Sequence, residues 1–130
     1  MKEIIKQWKK RNYSFVYVQL LKKNFDYTLD NFEKYFSSID GQNKFCYLVY
    51  LISMENTPRN AILLCEVLLY TDTFFFSIHP VIKMFLQQSL NIYPFDISII
   101  NWIVDTYDNN PDSPFSFEEI NIYKSKLKNL

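Results

Sequence analysis

One hundred and thirty residues, 48% of them hydrophobic and 18% aromatic, suffice for one domain with a sizeable core and exclude a disordered tail. A single Gly excludes a phosphate-cradling Gly-rich loop, a dinucleotide fingerprint and a nucleophile elbow, and it disfavours a many-hairpin all-β fold. Fourteen Lys and Arg balance fourteen Asp and Glu, so the total charge names no partner.

Residues 2–23 predict a helix that breaks near Asn12, with Ile4, Ile5 and Trp8 on one face. Within it Tyr13–Val18 is rich in strand formers. Leu29, Phe32, Phe36 and Ile39 form a helical stripe with Thr28 as N-cap. Asp40-Gly41 reads as the end of that helix, with Gly in the left-handed cap position. Residues 42–54 predict a central helix, because Tyr47, Tyr50 and Leu51 flank a face of Phe45, Leu48, Val49 and Ile52. Thr57-Pro58 restarts the chain as a cap and a first-turn proline, and Pro58–Tyr70 reads as a buried, leucine-rich helix.

Thr71-Asp72-Thr73 ends that helix. Phe74-Phe75-Phe76 reads as loop residues folded back into the core, or as an exposed aromatic anchor. The next helix starts at Ser77 or His79, with Val81, Met84 and Phe85 on one face, and Asn91–Pro94 is a loop. Asp96 caps a helix with two distinct faces: Ile99, Ile100, Ile103, Val104 and Tyr107 inward, Ser98, Asn101, Asp105 and Asp108 outward. Residues 109–114 form a loop. Ser116 and Glu119 then write a capping box, Phe115 and Ile120 the matching hydrophobic staple, and Ile120, Tyr123, Leu127 and Leu130 an apolar face. The expected fold is all-α: seven or eight short helices in one domain, residues 1–130, packed as antiparallel hairpins in a bundle or a degenerate stack.

Chemistry-bearing patterns are sparse. His79 is the only histidine and reads as a capping or satisfied core residue. No His-x-x-x-His, Cys-x-x-Cys or Glu-x-x-His spacing occurs, so neither a metal nor a cofactor is expected, and an enzyme is not. Cys46 and Cys65 read as reduced core cysteines, a single disulfide being the alternative. Met1–Lys6 lacks the apolar run of a signal peptide, and no stretch is long enough to span a membrane, which points to the cytoplasm.

Charge is distributed unevenly. Residues 1–23 carry a net +6, residues 24–123 a net −9 and the tail +3. Six carboxylates and no Lys or Arg lie between Asp96 and Glu119. Such a block matches a basic partner surface. Its candidate partner-binding residues are Asp96, Asn101, Trp102, Asp105, Asp108, Asp112, Glu118 and Glu119. The alternative is a nucleic-acid surface on the first helix, where Lys6, Lys9 and Lys10 flank Trp8.

Over residues 57–107 the run from Thr57-Pro58 through the leucine-rich helix, the aromatic loop, Ile78-His79-Pro80-Val81 and Asp96–Val104 resembles the small α-helical, HEAT-like immunity proteins of bacterial toxin systems, contact-dependent growth inhibition included. The resemblance implies a non-catalytic protein that occludes a cognate toxin domain, commonly a nuclease. It carries over no catalytic residue.

Overall fold

The computed structural model describes residues 1–71 and 73–130, and Asp72, expected to help end a helix, lies outside them. Among the described residues there are eight helices and no strand. They are α1 (Lys2–Lys9), α2 (Tyr13–Lys22), α3 (Leu29–Phe36), α4 (Gly41–Met54), α5 (Pro58–Tyr70), α6 (Ile78–Ile92), α7 (Ile97–Tyr107) and α8 (Phe117–Lys128). The contacts divide the chain into two compact units, Met1–Phe75 and Phe76–Leu130. Consecutive helices pair, α1 with α2, α4 with α5 and α7 with α8. No helix among the described residues is long and apolar enough to cross a membrane.

Local chemistry places most helix ends. Thr28, Asp40, Thr57, Asp96 and Ser116 each accept a backbone N–H from three residues on, which satisfies one of the donors a helix start leaves open. The break near Asn12 is real, and Tyr13–Val18 is helical because Val16 and Leu20 gain a buried face there. Arg11 adopts φ 60°, and the N–H groups of Arg11 and Asn12 close back on the carbonyls of Trp8 and Gln7. Asn24 ends α2 in the same way, at φ 51°.

The lone glycine plays a different part from the one expected. Gly41 opens α4 rather than closing α3, has no positive φ, and follows the true cap, Asp40. Two other faces are also rotated from expectation. In α4 the buried set is Asn43, Lys44, Tyr47, Leu48, Leu51 and Ile52, while Val49 is exposed. In α6 it is Ile82, Leu86 and Ser89, while Met84 is exposed, and the helix runs on through Asn91 and Ile92. In α8 the expected face is kept, with Ile120 buried and Tyr123 and Leu127 half-buried, while Leu130, beyond the end of the helix, is exposed. The cysteines are not bridged: Cys65 is a core residue as expected, but Cys46 is exposed.

The first unit is organised around Trp8, which is fully buried. Its ring lies 4.6 Å from Tyr47, 4.7 Å from Phe36 and 5.6 Å from Phe32, so α1, α3 and α4 share one aromatic cluster. Asn43 supplies the polar half of that joint. Its Nδ2 donates to the Trp8 carbonyl at 3.0 Å, the Trp8 indole N–H donates to the Asn43 carbonyl at 3.3 Å, and the Tyr13 hydroxyl donates to Asn43 Oδ1 at 2.6 Å. Deleting a buried Trp side chain from such a cluster costs about 3–5 kcal/mol.

In the second unit, Tyr107 of α7 is the hub. Its hydroxyl lies 2.9 Å from His79 Nδ1 of α6, and its ring lies 5.7 Å from Phe115. His79 is thus a satisfied residue and not a cap, since Ser77 holds the N-cap position of α6. The capping box of α8 is present in both directions, and Phe115 and Ile120 are both buried.

Candidate partner-binding face

The six carboxylates between Asp96 and Glu119 do not form one free acidic surface. Asp96 is committed to the start of α7, where its Oδ1 accepts the Ile99 N–H at 3.0 Å and the Ser98 hydroxyl. Asp108 receives Lys124 at 2.7 Å. Glu119 accepts the Ser116 N–H at 2.9 Å and Lys83 Nζ at 3.1 Å. The backbone hydrogen bond from Ser116, followed by the Lys83 ammonium, holds the Glu119 carboxyl below the usual carboxylate range. The acidic block is therefore smaller than its residue count, because two of its members are neutralised by the chain's own lysines and a third is a helix cap.

Asp105, Asp112 and Glu118 remain. All three are exposed, and among the described residues no Lys or Arg lies within ion-pair distance of them. Asp105 shares the outward side of α7 with Ser98 and Asn101, both exposed. Asp112 sits in the turn after α7, its N–H donating to Asn110 Oδ1 at 2.9 Å. Glu118 lies in the first turn of α8, where a carboxylate suits the helix dipole. Trp102 is half-buried, its ring 6.2 Å from Tyr107, so it braces the helix more than it projects from it.

The apolar projection comes instead from the turn before α7. Ile92, Tyr93, Phe95 and Ile97 are all exposed, Phe95 at 79%. Four large apolar side chains are thus left in water within six residues, and exposed apolar groups that adjoin one another mark interaction sites. Residue patterning places Asp96 as a cap, but it gives no helix or strand face for Phe95 to be buried on. That absence of a face was the available signal for Phe95. The run Phe74–Phe76 divides: Phe74 packs 6.2 Å from Phe45, Phe76 is half-buried and Phe75 is 88% exposed.

The basic segment has a complementary state. Lys2, Lys6, Lys9, Lys10, Arg11, Lys22 and Lys23 are all exposed, with no carboxylate among the described residues within ion-pair distance. Trp8 is buried, so the interleaving of an aromatic with these cations is not available at the surface.

Among the described residues no group of three or more His, Cys, Asp or Glu side chains could hold a metal ion. No family model, curated protein or solved structure matches the chain.

Proposed function

We propose that this chain is an immunity protein that binds a cognate bacterial toxin domain and neutralises it by covering its basic substrate-binding surface. The observation that carries the reading is the succession along the chain of exposed apolar side chains at the entry to α7 (Tyr93, Phe95, Ile97) and the polar outward side of α7, which carries the unpaired carboxylate of Asp105. Apolar anchors supply residence time when they are desolvated in a partner's pocket, and an unpaired carboxylate supplies steering toward a cationic surface. A nuclease has such a surface because it holds phosphates. Its inhibitor must meet it in the cytoplasm, where the nucleic acid lies. The resemblance over residues 57–107 adds to this reading and stands on the same helices, α5 to α7.

Co-expression with candidate toxin nuclease domains, starting with any encoded immediately upstream of this chain's own gene, tests the proposal. Cells carrying both survive, and cells carrying the toxin domain with Phe95→Ala plus Asp105→Lys do not. Death in the presence of the unaltered chain would remove the immunity reading, and full rescue by the double variant would remove this face from it.

One observation favours a second reading, a sequence-independent contact of α1 with a polyanion. It is the set of exposed, unpaired cations on Lys2, Lys6, Lys9, Lys10 and Arg11. Binding to a duplex at low salt that fades steeply as salt rises supports it, and no binding at low salt removes it.

A further inference from the structure

A separate feature lies in the first unit and is built from none of the residues of the proposed binding face. Tyr17 and Leu20 of α2, Asn24, Phe25 and Tyr27 of the following connection, and Glu55 at the end of α4 line a cleft of about 290 Å³. Leu20 is fully buried, whereas Tyr17, Phe25, Tyr27 and Glu55 are each partly open to solvent. The Phe25 and Tyr27 rings stand edge to face, 5.0 Å apart.

Glu55 is electrostatically out of place. It accepts the Tyr17 hydroxyl at 2.7 Å, and among the described residues no Lys, Arg or His lies within ion-pair distance. It is also the C-cap of α4, where the last carbonyls of the helix already present partial negative charge. A carboxylate beside the C-terminal end of a helix gains from a cation that joins it. An aromatic ring attracts the same kind of charge wherever it offers its face to a cation.

We infer that this cleft binds an organic cation, an alkylammonium or guanidinium group, held between the rings of Tyr17, Phe25 and Tyr27 and the carboxylate of Glu55. The cation is either a free small molecule or the head of a Lys or Arg side chain on another protein. The chemistry is common to both, and the inference does not depend on the proposed immunity function.

The test is a ring-proton NMR titration of the full chain with tetramethylammonium and with methylguanidinium chloride at constant ionic strength. tert-Butanol serves as the neutral isostere. At least one cation gives saturable shifts at Tyr17 and Tyr27, and tert-butanol does not. Glu55→Gln keeps an acceptor for the Tyr17 hydroxyl while removing the charge, and it weakens binding by about tenfold. Phe25→Leu removes a wall without touching charge and also weakens binding, which covers the case in which the first variant fails to fold. A second arm uses short peptides bearing lysine, trimethyl-lysine or arginine, with acetyl-lysine as control. Tighter binding of a cationic peptide than of the free cation identifies a protein side chain as the ligand, and the reverse order identifies a small molecule. No saturable shift with either cation, equal shifts with tert-butanol, or unchanged affinity in both folded variants would overturn the inference.

Discussion

Lys124 of α8 reaches Asp108 at the end of α7 and closes an ion pair of 2.7 Å. The pair removes one carboxylate from the outward side of α7 and ties the helix to its neighbour across the intervening loop. Both groups are partly open to water, with side-chain exposures of 38% and 29%, so screening limits what the pair contributes. A double-mutant cycle of Asp108→Ala and Lys124→Ala, read by urea unfolding, gives a coupling of about 0.2–1 kcal/mol that shrinks in 1 M salt. A coupling several times larger would mean that the pair is far less solvated than its exposure implies.

Asn43 has a larger expected effect. Replacing it by Ala removes its hydrogen bonds to the Trp8 carbonyl and the Tyr13 hydroxyl inside a buried joint. The loss is about 2–3 kcal/mol of stability in urea unfolding. Asn43→Asp costs at least as much, because it keeps the acceptor for Tyr13, loses the donor to Trp8 and buries a charge. A variant within about 0.5 kcal/mol of the parent would show that the joint is held by the aromatic rings alone.

Tyrosine ionisation sets the alkaline limit. Burial raises both Tyr13 and Tyr27 to about 12, and burial pushes Tyr47 up as well. The unfolded chain ionises these hydroxyls near the ordinary tyrosine value of ~10, while the folded chain keeps them neutral. Their contribution to stability is whole below that value and falls as the pH climbs from about 10 toward 12. A late part of the rise in tyrosinate absorbance should therefore come together with loss of helical circular dichroism. Ionisation of all ten tyrosines in one stage, with the helices intact, would contradict the buried network.

Glu119 has two functions that substitution separates. Glu119→Gln retains an acceptor for the Ser116 N–H and loses only the charge opposite Lys83, whereas Glu119→Ala loses both. The Ala variant is less stable by about 1 kcal/mol and the Gln variant by about half that. Because the folded carboxyl is held low, its contribution is present above the ordinary value near 4.5 and fades as the pH falls below it. The Gln variant therefore shows a flatter acid limb in pH-dependent thermal melts, and an unchanged limb would contradict the assignment.

Local signals in the chain foretold much of this structure, and long-range ones did not. Thr28, Thr57, Asp96 and Ser116 are readable as caps because the cap and the backbone N–H that donates to it lie three residues apart. Gly41 misleads because α3 already ends at Phe36, with Ser37 right-handed, and Asp40 restarts the chain as the cap of α4, so no left-handed position falls on the glycine. In α4 and α6 the apolar residues run nearly all round, so periodicity cannot choose which stripe faces inward, and the neighbouring helices decide. The acidic block misleads for the same reason at longer range. Lys83 lies 36 residues before Glu119, so no window on the chain shows that the two meet. Asp105, by contrast, is exposed on the outward side of α7 that its spacing indicated.

The central claim, that the exposed turn before α7 and Asp105 cover a basic partner, is tested most directly by calorimetric titration of the chain with a candidate toxin domain that it protects against in co-expression. The account predicts a one-to-one complex that loosens as salt rises, weakens by about tenfold or more with Phe95→Ala, and weakens again with Asp105→Lys, while neither variant loses stability. No complex, or a complex of unchanged affinity in both variants, would contradict it.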